Sequence, residues 1–585
     1  MRYALRQSMG SFAAVGLFSM VHNLLMLASP VFMLQIYDRV LASGSIPTLI
    51  ALSGVVLALF LVSGLLDLIR ARVLVRIGLA LDERVGRRLF EASTRQALAT
   101  GQEASRALRE FEVLRGFIAG PGPVAFFDLP WTPLYVALLF VFHPVLGAVA
   151  LVSVLLLVVI ARITELVTRR DTAAAMEASC RSQDLGEAGH RHAGVLYAMG
   201  FAGDFRERWS SVNRHATLIH SRMTDRLMHL QAATKALRLI LQSAMLAAGA
   251  WLAIRGEITA GMIVAASILL GRGLAPLEQA IGQWRNLARA RAAYRELERL
   301  FSATPPLERR TALPVPRGQL EIRELRAAAP GTNRLVLKGL SFAVGPGEIL
   351  AVIGPSAAGK STLAKCLVGI QPWHSGEIRL DGARIDHWEQ DALGRHIGYM
   401  PQECELFAGT VRDNICRFDP AGTDEDVTGA AMLARAHEMI LSLPSGYDTR
   451  LGPDARELSA GQRQRIALAR ALFRDPVLIV LDEPNSNLDS YGDAALIDAI
   501  AELKRRGRTI IIVSHRSTAI ARADLVLAID NGVQRAIGKR DDVLSRLQQA
   551  MRAEQAVTGS RPGPAGADPL AAASTAVSLV TSSGQ

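Results

Sequence analysis

Long apolar segments without charge constrain the fold of this chain more than any other feature of its sequence. Residues 47–66 contain no charged side chain, and neither does the longer stretch 129–161. A helix needs about 20 apolar residues to cross the hydrocarbon core of a bilayer, so the second stretch is long enough for two spans. His143-Pro144 lies near its middle and predicts a tight turn there. The chain is therefore expected to cross a membrane several times.

Three further segments raise the expected number of spans to six. Residues 12–34 are apolar apart from His22 and Asn23, while 239–254 and 258–271 are shorter and are separated by Arg255-Gly256-Glu257. These segments predict an all-α membrane domain over residues 1–302. Its expected spans are 12–34, 47–66, 126–142, 145–161, 237–254 and 258–278.

The charges between the spans predict their orientation. The net charge is +11, and a basic balance can indicate either nucleic-acid binding or cytoplasmic loops. The loop after span one balances Asp38 against Arg39, and the turn between spans five and six balances Arg255 against Glu257. Arginine excess occurs on every second side, at Arg2, Arg6, Arg70, Arg72, Arg76, Arg84, Arg87, Arg88, Arg162, Arg169 and Arg170. This pattern predicts a multi-pass membrane protein with both termini cytoplasmic and no nucleic-acid partner.

Two other interpretations of the composition are weaker. A cleavable signal peptide at the N-terminus is disfavoured because His22-Asn23 interrupts the apolar stretch and because cleavage would leave an odd number of spans. The four cysteines form no C-x-x-C pair, which predicts reduced thiols in a cytosol-facing protein.

Charged segments between spans two and three and between spans four and five predict helices that extend well beyond the bilayer.

The second half of the chain has a different composition and pattern. Prolines and Gly318 then mark a linker at 303–317. Short β-branched runs alternate with helical segments over 318–550, which predicts an α/β domain. Residues 551–585 are rich in small residues and are expected to form a disordered tail.

A phosphate-binding motif follows one of these runs. Gly354 to Ser361 spells G-x-x-x-x-G-K-S between an apolar strand and a helix. Backbone N–H groups and the helix N-terminus favour phosphate, Lys360 would neutralise the β- and γ-phosphates of ATP, and Ser361 would hold Mg²⁺. The residues expected to bind nucleotide here are Gly354, Pro355, Ser356, Ala357, Ala358, Gly359, Lys360, Ser361 and Thr362.

Two later strands end in residues suited to phosphate chemistry. The run "PVLIVLDEP" ends at Asp482-Glu483, and "TIIIVSH" ends at His515. An acid at a strand end near a phosphate loop can bind Mg²⁺, which is the role expected for Asp482. Glu483 is suited to polarising an attacking water, and His515 to sensing the γ-phosphate.

Leu458 to Gln462, "LSAGQ", resembles the signature motif of ABC ATPases, Gln402 resembles the glutamine of their Q-loop, and Asp489 in "SNLD" resembles the D-loop aspartate. The resemblance implies a homodimer in which each signature faces the phosphate loop of the other chain, with two ATP molecules between them. The implied catalytic residues are Glu483, His515 and Gln402; the Mg²⁺ ligands are Ser361, Gln402 and Asp482; the remaining nucleotide contacts are Ser459, Ala460, Gly461, Gln462 and Asp489.

Two positions depart from the ABC pattern. Ala460 stands where a glycine is usual, but its small side chain should leave phosphate access to Ser459. Ala329 occupies the place where many relatives stack an aromatic ring on adenine. Adenine is then expected to contact aliphatic groups such as Val336, with modest affinity.

The membrane half narrows the resemblance. Residues 23–49, 126–147 and 271–284 look like the ABC component of type I secretion systems, in the branch that exports proteases and lipases. The resemblance implies ATP-driven export of unfolded, repeat-rich polypeptide with an uncleaved C-terminal signal across the bacterial inner membrane, together with a periplasmic adaptor and an outer-membrane channel. Because few residues precede span one, we expect no N-terminal peptidase domain. The alternative is an exporter of lipid or a small molecule; a soluble ABC ATPase is excluded by the spans.

Residues 271–284 themselves predict a helical continuation of span six toward the cytoplasm. Apolar residues at helical spacing should share one side of this helix, which Pro276 can bend. Gly271 and Ala275 form a small-x-x-x-small pair that should permit a close helix approach. The apolar residues are Leu274, Leu277, Ile281 and Trp284.

Overall fold

The computed structural model of the chain describes residues 1–100, 105–305, 313–329, 331–332, 334–486, 490–514 and 516–558. They belong to two compact units. The first unit consists of Met1–Thr94 and Glu103–Pro305, and the second of Arg95–Gln102 and Pro306–Gln585. Arg95–Gln102, which the sequence placed in the membrane domain, thus belongs to the second unit.

The described part of the first unit is built from helices. They are α1 Arg2–Gln7, α2 Met9–Leu25, α3 Ala28–Gln35, a π-helical turn Ile36–Val40, α4 Leu41–Ser43, α5 Ile46–Thr100 (whose last residues belong to the second unit), α6 Ser105–Ala119, α7 Gly122–Asp128, a 3₁₀ turn Leu129–Trp131, α8 Thr132–Phe142, α9 Pro144–Arg191, α10 Ala193–Ala198, α11 Ala202–Ile254 and α12 Ala260–Ala303.

Among the described residues, six helical stretches are long and apolar enough to cross a membrane. They are Met9–Ser43, Ile46–Thr100, Gly122–Phe142, Pro144–Val167, Ala202–Ile254 and Ala260–Ala303. The predicted turn at His143-Pro144 has a clear local cause. His143 is extended, with φ −163° and ψ 139°, as expected before proline, and Pro144 begins α9 at a position where its missing N–H is harmless.

Residues 271–284 lie inside α12, which continues through Pro276. The glycine that allows a close helix approach is Gly273 rather than Gly271. A Cβ at Gly273 would lie 3.2 Å from the Cβ of Tyr135 on α8, whereas one at Gly271 would meet nothing nearer than 3.9 Å. Thr132 Oγ1 also donates a hydrogen bond to the Gly273 carbonyl at 3.1 Å. Within this chain the close helix approach therefore occurs at Gly273, two residues after the glycine that the spacing rule indicated.

A buried arginine in the first unit joins three helices. Arg70 of α5 is 2% exposed, and its Nη1 donates to Asp128 Oδ1 of α7 and to Ser19 Oγ of α2, each at 2.8 Å. Asn23 Nδ2 also donates to Asp128 Oδ1 at 2.8 Å. Arg70 is further paired with Asp67, which lies one turn earlier on α5. We call Ser19, Asn23, Asp67, Arg70 and Asp128 the Arg70 cluster.

The second unit contains an α/β fold. Its strands are β1 Leu320–Ala328, β2 Leu335–Val344, β3 Ile349–Ile353, β4 Ser375–Leu380, β5 Ala383–Arg384, β6 Ile397–Met400, β7 Gly409–Thr410, β8 Arg450–Leu451, β9 Leu478–Asp482, β10 Thr509–Val513, β11 Leu525–Asp530 and β12 Val533–Lys539. Its helices are α13 Lys360–Leu367, α14 Gln390–His396, α15 Val411–Ile415, α16 Asp424–Leu433, α17 His437–Leu441, α18 Ala460–Leu472, α19 Ser490–Arg505, α20 Ser517–Ile520 and α21 Arg540–Thr558.

Two larger sheets organise these strands. A six-stranded sheet has the order β12-β11-β3-β10-β9-β6, and a four-stranded antiparallel sheet has the order β2-β1-β4-β5. In the first sheet, the five strands from β11 to β6 run parallel. Every residue of β3, β9 and β10 is buried, which explains their continuous apolar sequences. The predicted order, six apolar helices followed by an α/β nucleotide-binding domain, is confirmed.

The ends of the second unit bear on two expectations. Residues 313–317 of the predicted linker have no regular structure, and 306–312 lie outside the described residues. α21 continues to Thr558, so 551–558 are helical where disorder was expected, because this stretch is rich in good helix formers such as alanine, glutamate and arginine. Residues 559–585 lie outside the described part. The four cysteines carry free thiols.

Candidate functional site

Four neighbouring parallel strands end at one edge of the six-stranded sheet. β3 leads into the phosphate loop, β9 ends at Asp482, β10 ends at Val513, and β6 ends at Met400, shortly before Gln402. Asp482 and Val513 are paired in register, so β9 and β10 end at the same level. In open α/β sheets the crevice at the carboxyl ends of such strands is where ligands bind.

The phosphate loop needs its two glycines for different reasons. A Cβ at Gly354 would lie 2.1 Å from the Ile529 carbonyl oxygen of β11, so only glycine fits against that strand. Gly359 has φ +102° and precedes α13, and its Cβ would lie 2.8 Å from Leu337 Cδ2. Between them, the Ala358 N–H closes a turn onto the Pro355 carbonyl. The loop therefore presents the N-terminus of α13 toward the carboxyl edge of the sheet.

Lys360 is buried against its own loop. Its ammonium donates hydrogen bonds to the carbonyl oxygens of Gly354 at 2.8 Å and Pro355 at 2.9 Å. Burial lowers the pKa of the Lys360 ammonium, and the carboxylates of Glu483 and Asp482 partly oppose that effect. A triphosphate bound at this loop would supply the full negative charge that this cation otherwise lacks.

Ser361 and Asp482 form a small oxygen-rich group. Ser361 Oγ donates to Asp482 Oδ1 at 3.2 Å. Burial raises the pKa of the Asp482 carboxyl; the Ser361 hydrogen bond lowers it, and the nearby Glu483 raises it further. A hydroxyl and a carboxylate are hard oxygen ligands of the kind that Mg²⁺ prefers. The pair thus fits a divalent cation that would also relieve the burial of Asp482.

Glu483 leaves β9 through a sharp backbone turn. Its φ is +50°, and its N–H donates to the Val513 carbonyl of β10 at 2.9 Å. Gln402 Nε2 lies 3.3 Å from Glu483 Oε2 and donates to it. The structure thus brings together Gln402, Asp482, Glu483 and the phosphate loop, as the sequence predicted.

The signature segment begins a helix. Ser459 is the N-cap of α18, and its hydroxyl accepts a hydrogen bond from the Gln462 N–H at 3.2 Å. Gln462 Oε1 in return accepts from the Ser459 N–H at 2.8 Å. This reciprocal capping box occupies the Gln462 side chain, which the sequence analysis assigned to nucleotide. The pattern Ser-x-x-Gln before an apolar helix was the signal that could have revealed it.

Two buried amides that support the site have no signal in the sequence. Buried Gln464 of α18 donates to the Pro484 carbonyl, and so ties the signature helix to the segment that carries Glu483. Buried Asn414 of α15 accepts from the Phe407 N–H at 2.8 Å and donates to the Phe407 carbonyl at 2.9 Å, which fixes the chain after Gln402. No sequence pattern around Gln464 or Asn414 distinguishes these buried amides from solvent-exposed ones.

The remaining predicted site residues have simple outcomes. His515 and Asp489 lie outside the described residues. Ala329 directly follows β1, and its N–H donates to the Arg334 carbonyl. Val336 lies beside the phosphate loop, because its Cγ1 would be 3.2 Å from a Cβ at Gly359. Ser459 and Ala460 are exposed at the start of α18.

A phosphate loop with an adjacent acid pair, on a chain with six apolar helices, defines an ATP-driven membrane transporter. The ABC transporter family profile matches residues 337–486, and the profile of the ABC transporter transmembrane region matches residues 12–272. Among known proteins, PrsD of Rhizobium meliloti, a type I secretion system ATP-binding protein, is 44% identical over 554 residues, which are 94% of this chain and 95% of that protein. The chain belongs to the ABC transporter family, in its group of type I secretion system ATP-binding proteins.

Two other similarities are partial or structural. An ATP-dependent lipid A-core flippase of Pseudomonas fluorescens is 36% identical over 319 residues, 54% of this chain and 52% of that protein. The solved structure of a bacterial Atm1-family ABC exporter with ATP bound has a TM-score of 0.80 at 24% identity, and the match covers 95% of this chain and all of that one. This likeness establishes the ABC exporter fold. The chain is thus a multi-pass inner-membrane protein that binds ATP and couples its hydrolysis to transport.

Proposed function

We propose that this protein exports unfolded polypeptide from the cytosol as the energising component of a type I secretion system. The observation that carries the proposal is the full-length similarity to PrsD, because it includes the membrane half as well as the ATPase. The transported chains would be repeat-rich proteases, lipases or similar proteins with an uncleaved C-terminal signal. The flippase similarity covers only about half of the chain and therefore favours an ATPase in common over a substrate in common.

The proposed reaction follows from the site. ATP would bind with its phosphates on the N-terminus of α13 and against Lys360, while Ser361, Asp482 and Gln402 hold Mg²⁺, which neutralises phosphate charge. Glu483 accepts a proton from the water whose oxygen bonds to the γ-phosphorus. The bond from the γ-phosphorus to the bridging oxygen breaks, and ADP and phosphate leave. His515 would contact the γ-phosphate.

The active form would be a homodimer. Ser459 and Ala460 are exposed at the capped start of α18, where a second copy can approach. In the proposed dimer the signature of one chain, together with Asp489, completes the phosphate loop of the other and encloses two ATP molecules. Gln464 ties α18 to the segment after Glu483. A movement of α18 when the dimer closes would therefore also move the catalytic carboxylate of the same chain.

The proposed assembly also includes partners on the far side of the membrane. A periplasmic adaptor protein and an outer-membrane channel would receive the polypeptide, so that it passes from cytosol to medium in one step. Arginine-rich segments follow spans two and four, whereas the intervening loops are charge-balanced, and this supports cytoplasmic termini and a cytoplasmic ATPase domain.

An export assay tests the proposal. A candidate cargo is expressed with the adaptor, the channel and either the wild-type chain or the Glu483→Gln variant, and the cargo in the medium is quantified. We expect export with the wild-type chain and none above background with Glu483→Gln. Full export with the variant would refute the catalytic assignment. Lipid movement in reconstituted vesicles without polypeptide export would instead favour the lipid or small-molecule alternative.

A further inference from the structure

Near the C-terminal end of the first span, Met9–Ser43, a carboxylate is bound to the start of the last membrane helix. Asp38 lies in the π-helical turn Ile36–Val40 that follows α3. Its Oδ2 accepts a hydrogen bond from the Thr259 hydroxyl at 2.6 Å, and its Oδ1 accepts one from the Gly261 N–H at 2.9 Å. Since Thr259 is the N-cap of α12, these bonds fasten span one to the first turn of span six.

The chemistry of this contact makes it strong for its size. The first N–H groups of a helix lack intrahelical partners and carry the positive end of the helix dipole, so a carboxylate is favoured there. The Thr259 hydroxyl donates to Asp38 while it accepts a bond from the Met262 N–H at 3.3 Å, which fixes its orientation. Both bonds to Asp38 are charge-assisted and therefore stronger than neutral ones.

Gly261 shows that this approach is built into the sequence. It is the second residue of α12, in the first turn of the helix. A Cβ at this position would lie 2.6 Å from Asp38 Oδ1 and 2.7 Å from Asp38 Cγ. Even an alanine would therefore displace the carboxylate, and the helix tolerates glycine where Asp38 must come close.

Other charged groups at the same end of the membrane domain pair with one another. His143 Nε2 lies 3.1 Å from Glu257 Oε2, and the Arg255 guanidinium stacks on the Trp251 ring at 4.0 Å and lies 3.9 Å from Glu257. Asp38 and Thr259 are both exposed, so water reaches the contact between them. These neighbours supply a matched carboxylate, Glu257, that is close in sequence to Thr259 but outside the Asp38 contact.

α12 extends from this contact toward the part of the chain that leads to the ATPase domain. It runs without interruption from Ala260 to Ala303, and at about 1.5 Å per residue its 44 residues are roughly 66 Å long. The chain that follows it leads to the ATPase domain. A displacement of α12 that begins at its C-terminal end is therefore transmitted along one continuous helix to Gly261.

We propose that Asp38 is a positioning residue that latches span six to span one at the extracytoplasmic end, and that this latch opens in each transport cycle. The inference rests on the proposed export function, since export needs an exit between helices at this end. Opening such an exit requires that contacts of the resting arrangement be released. Exposed hydrogen bonds suit this role because water replaces them on both partners, so their release costs only part of their strength.

Disulfide formation tests whether the latch opens. The pair Asp38→Cys and Gly261→Cys is placed in the full-length chain with its four native cysteines changed to alanine, reconstituted in lipid nanodiscs. The oxidation rate is compared without nucleotide and with MgATP in a Glu483→Gln background. We expect at least a fivefold slower rate with MgATP, and equal rates would overturn the proposal. The pair Asp38→Cys and Thr259→Cys provides the same measurement if the first variant does not fold.

A charge-neutral variant tests what the latch does. In Asp38→Asn we expect cargo-independent ATP turnover to rise about three- to tenfold with an unchanged KM for ATP, because opening no longer breaks charge-assisted bonds. Glu257→Gln, which alters the His143 contact and spares the latch, should stay within twofold of wild type. Equal behaviour of the two variants, or a loss of turnover in Asp38→Asn, would contradict the proposal.

The two experiments separate this inference from the proposed function, because neither requires a cargo. If oxidation depends on nucleotide in a chain that exports no polypeptide, the proposal that the Asp38 contact opens would stand, and only the export of polypeptide would be refuted. Export by a chain that remains cross-linked at residues 38 and 261 would refute the latch and leave the export function standing.

Discussion

The ATPase unit and the membrane unit each bury a basic side chain, but they satisfy it in different ways. Lys360 donates to two carbonyl oxygens of its own loop, which are neutral partners. Arg70 donates to the carboxylate of Asp128 and to a hydroxyl, and is also paired with Asp67. The first cation is held ready for an anionic ligand, whereas the second already has its counter-charges.

This difference explains what each region can do. Around Lys360 the buried charges lack full counter-charges. Burial therefore lowers the pKa of Lys360 and raises the pKa of Asp482. Nucleotide and Mg²⁺ would supply the charges that such a site lacks. In the Arg70 cluster the charges are already paired across three helices, so the cluster fixes the position of α2 against α5 and α7. Removing a charge should therefore impair function in the first region and folding in the second.

The largest effect is expected at Glu483. Glu483→Gln should lower ATP turnover by about 10²- to 10⁴-fold, the range for loss of a general base, while the thermal unfolding midpoint stays within a few degrees of wild type. The measurement is phosphate release by purified protein, with ATP binding as a parallel readout. Glu502→Gln, which removes a carboxylate paired with Arg506 in the same unit, is the control and should retain turnover. Comparable losses in both variants would contradict the catalytic role.

The next effect should appear in stability rather than turnover. Arg70→Met leaves Asp128 buried without its cation, and breaking such a pair costs about 3–5 kcal/mol. The unfolding midpoint of the detergent-solubilised protein should fall accordingly. The double variant Arg70→Met with Asp128→Leu should recover most of the loss, because an apolar replacement of both buried partners leaves no uncompensated buried charge, and Asp67 is exposed to water. If the double variant were no more stable than the single one, the pair would not be the source of the effect.

A smaller effect is expected in the affinity for Mg²⁺, which should depend on pH. Burial raises the pKa of Asp482 above its value in the unfolded chain, so the metal-free folded protein holds this proton more tightly and is progressively less favoured as pH rises through that window. Mg²⁺ binds the carboxylate form and should release the proton. Its affinity in the presence of ATP should therefore rise with pH, up to about tenfold per unit, and level off above the raised pKa. Titrations across the acid range should show this slope in wild type and a flatter one in Asp482→Asn.

The smallest expected effect concerns adenine. Ala329→Tyr should raise ATP affinity several-fold, because stacking of an aromatic ring contributes about 0.5–1.5 kcal/mol. Nucleotide titration of the purified protein measures it, with Ala329→Leu as the control for added apolar surface. Unchanged affinity in the tyrosine variant would show that this position does not lie against the base.

The predicted site residues that the structure brings together, Asp482 and Gln402, follow the ends of strands that the sequence could identify. Asp482 and Gln402 are far apart in the chain, but the carboxyl ends of parallel strands meet at one edge, and the continuous apolar runs identified those strands. The capping role of Gln462 was missed although Ser-x-x-Gln signals it, because the resemblance to the ABC signature suggested a different partner.

Contacts within the membrane half were less predictable. His22 and Asn23 were noticed only as interruptions of an apolar stretch, yet Asn23 bonds to Asp128, which is 105 residues away. Asp38 was read as a charge balanced by Arg39, whereas its carboxylate binds the start of α12. Helix packing brings such residues together, and a periodicity of 3.6 residues indicates which face is apolar but not which neighbour that face will meet.

The backbone at Glu483 has a consequence for how this site can vary. Its φ of +50° is a left-handed conformation that costs a side chain with a Cβ about 1–2 kcal/mol and costs glycine almost nothing. Glycine at this position would therefore relax the turn after β9, but it would have no carboxylate to take the proton from water. If Glu483 is the catalytic base, glycine at this position would trade turnover for stability, so Glu483→Gly should be more stable than Glu483→Ala and equally inactive.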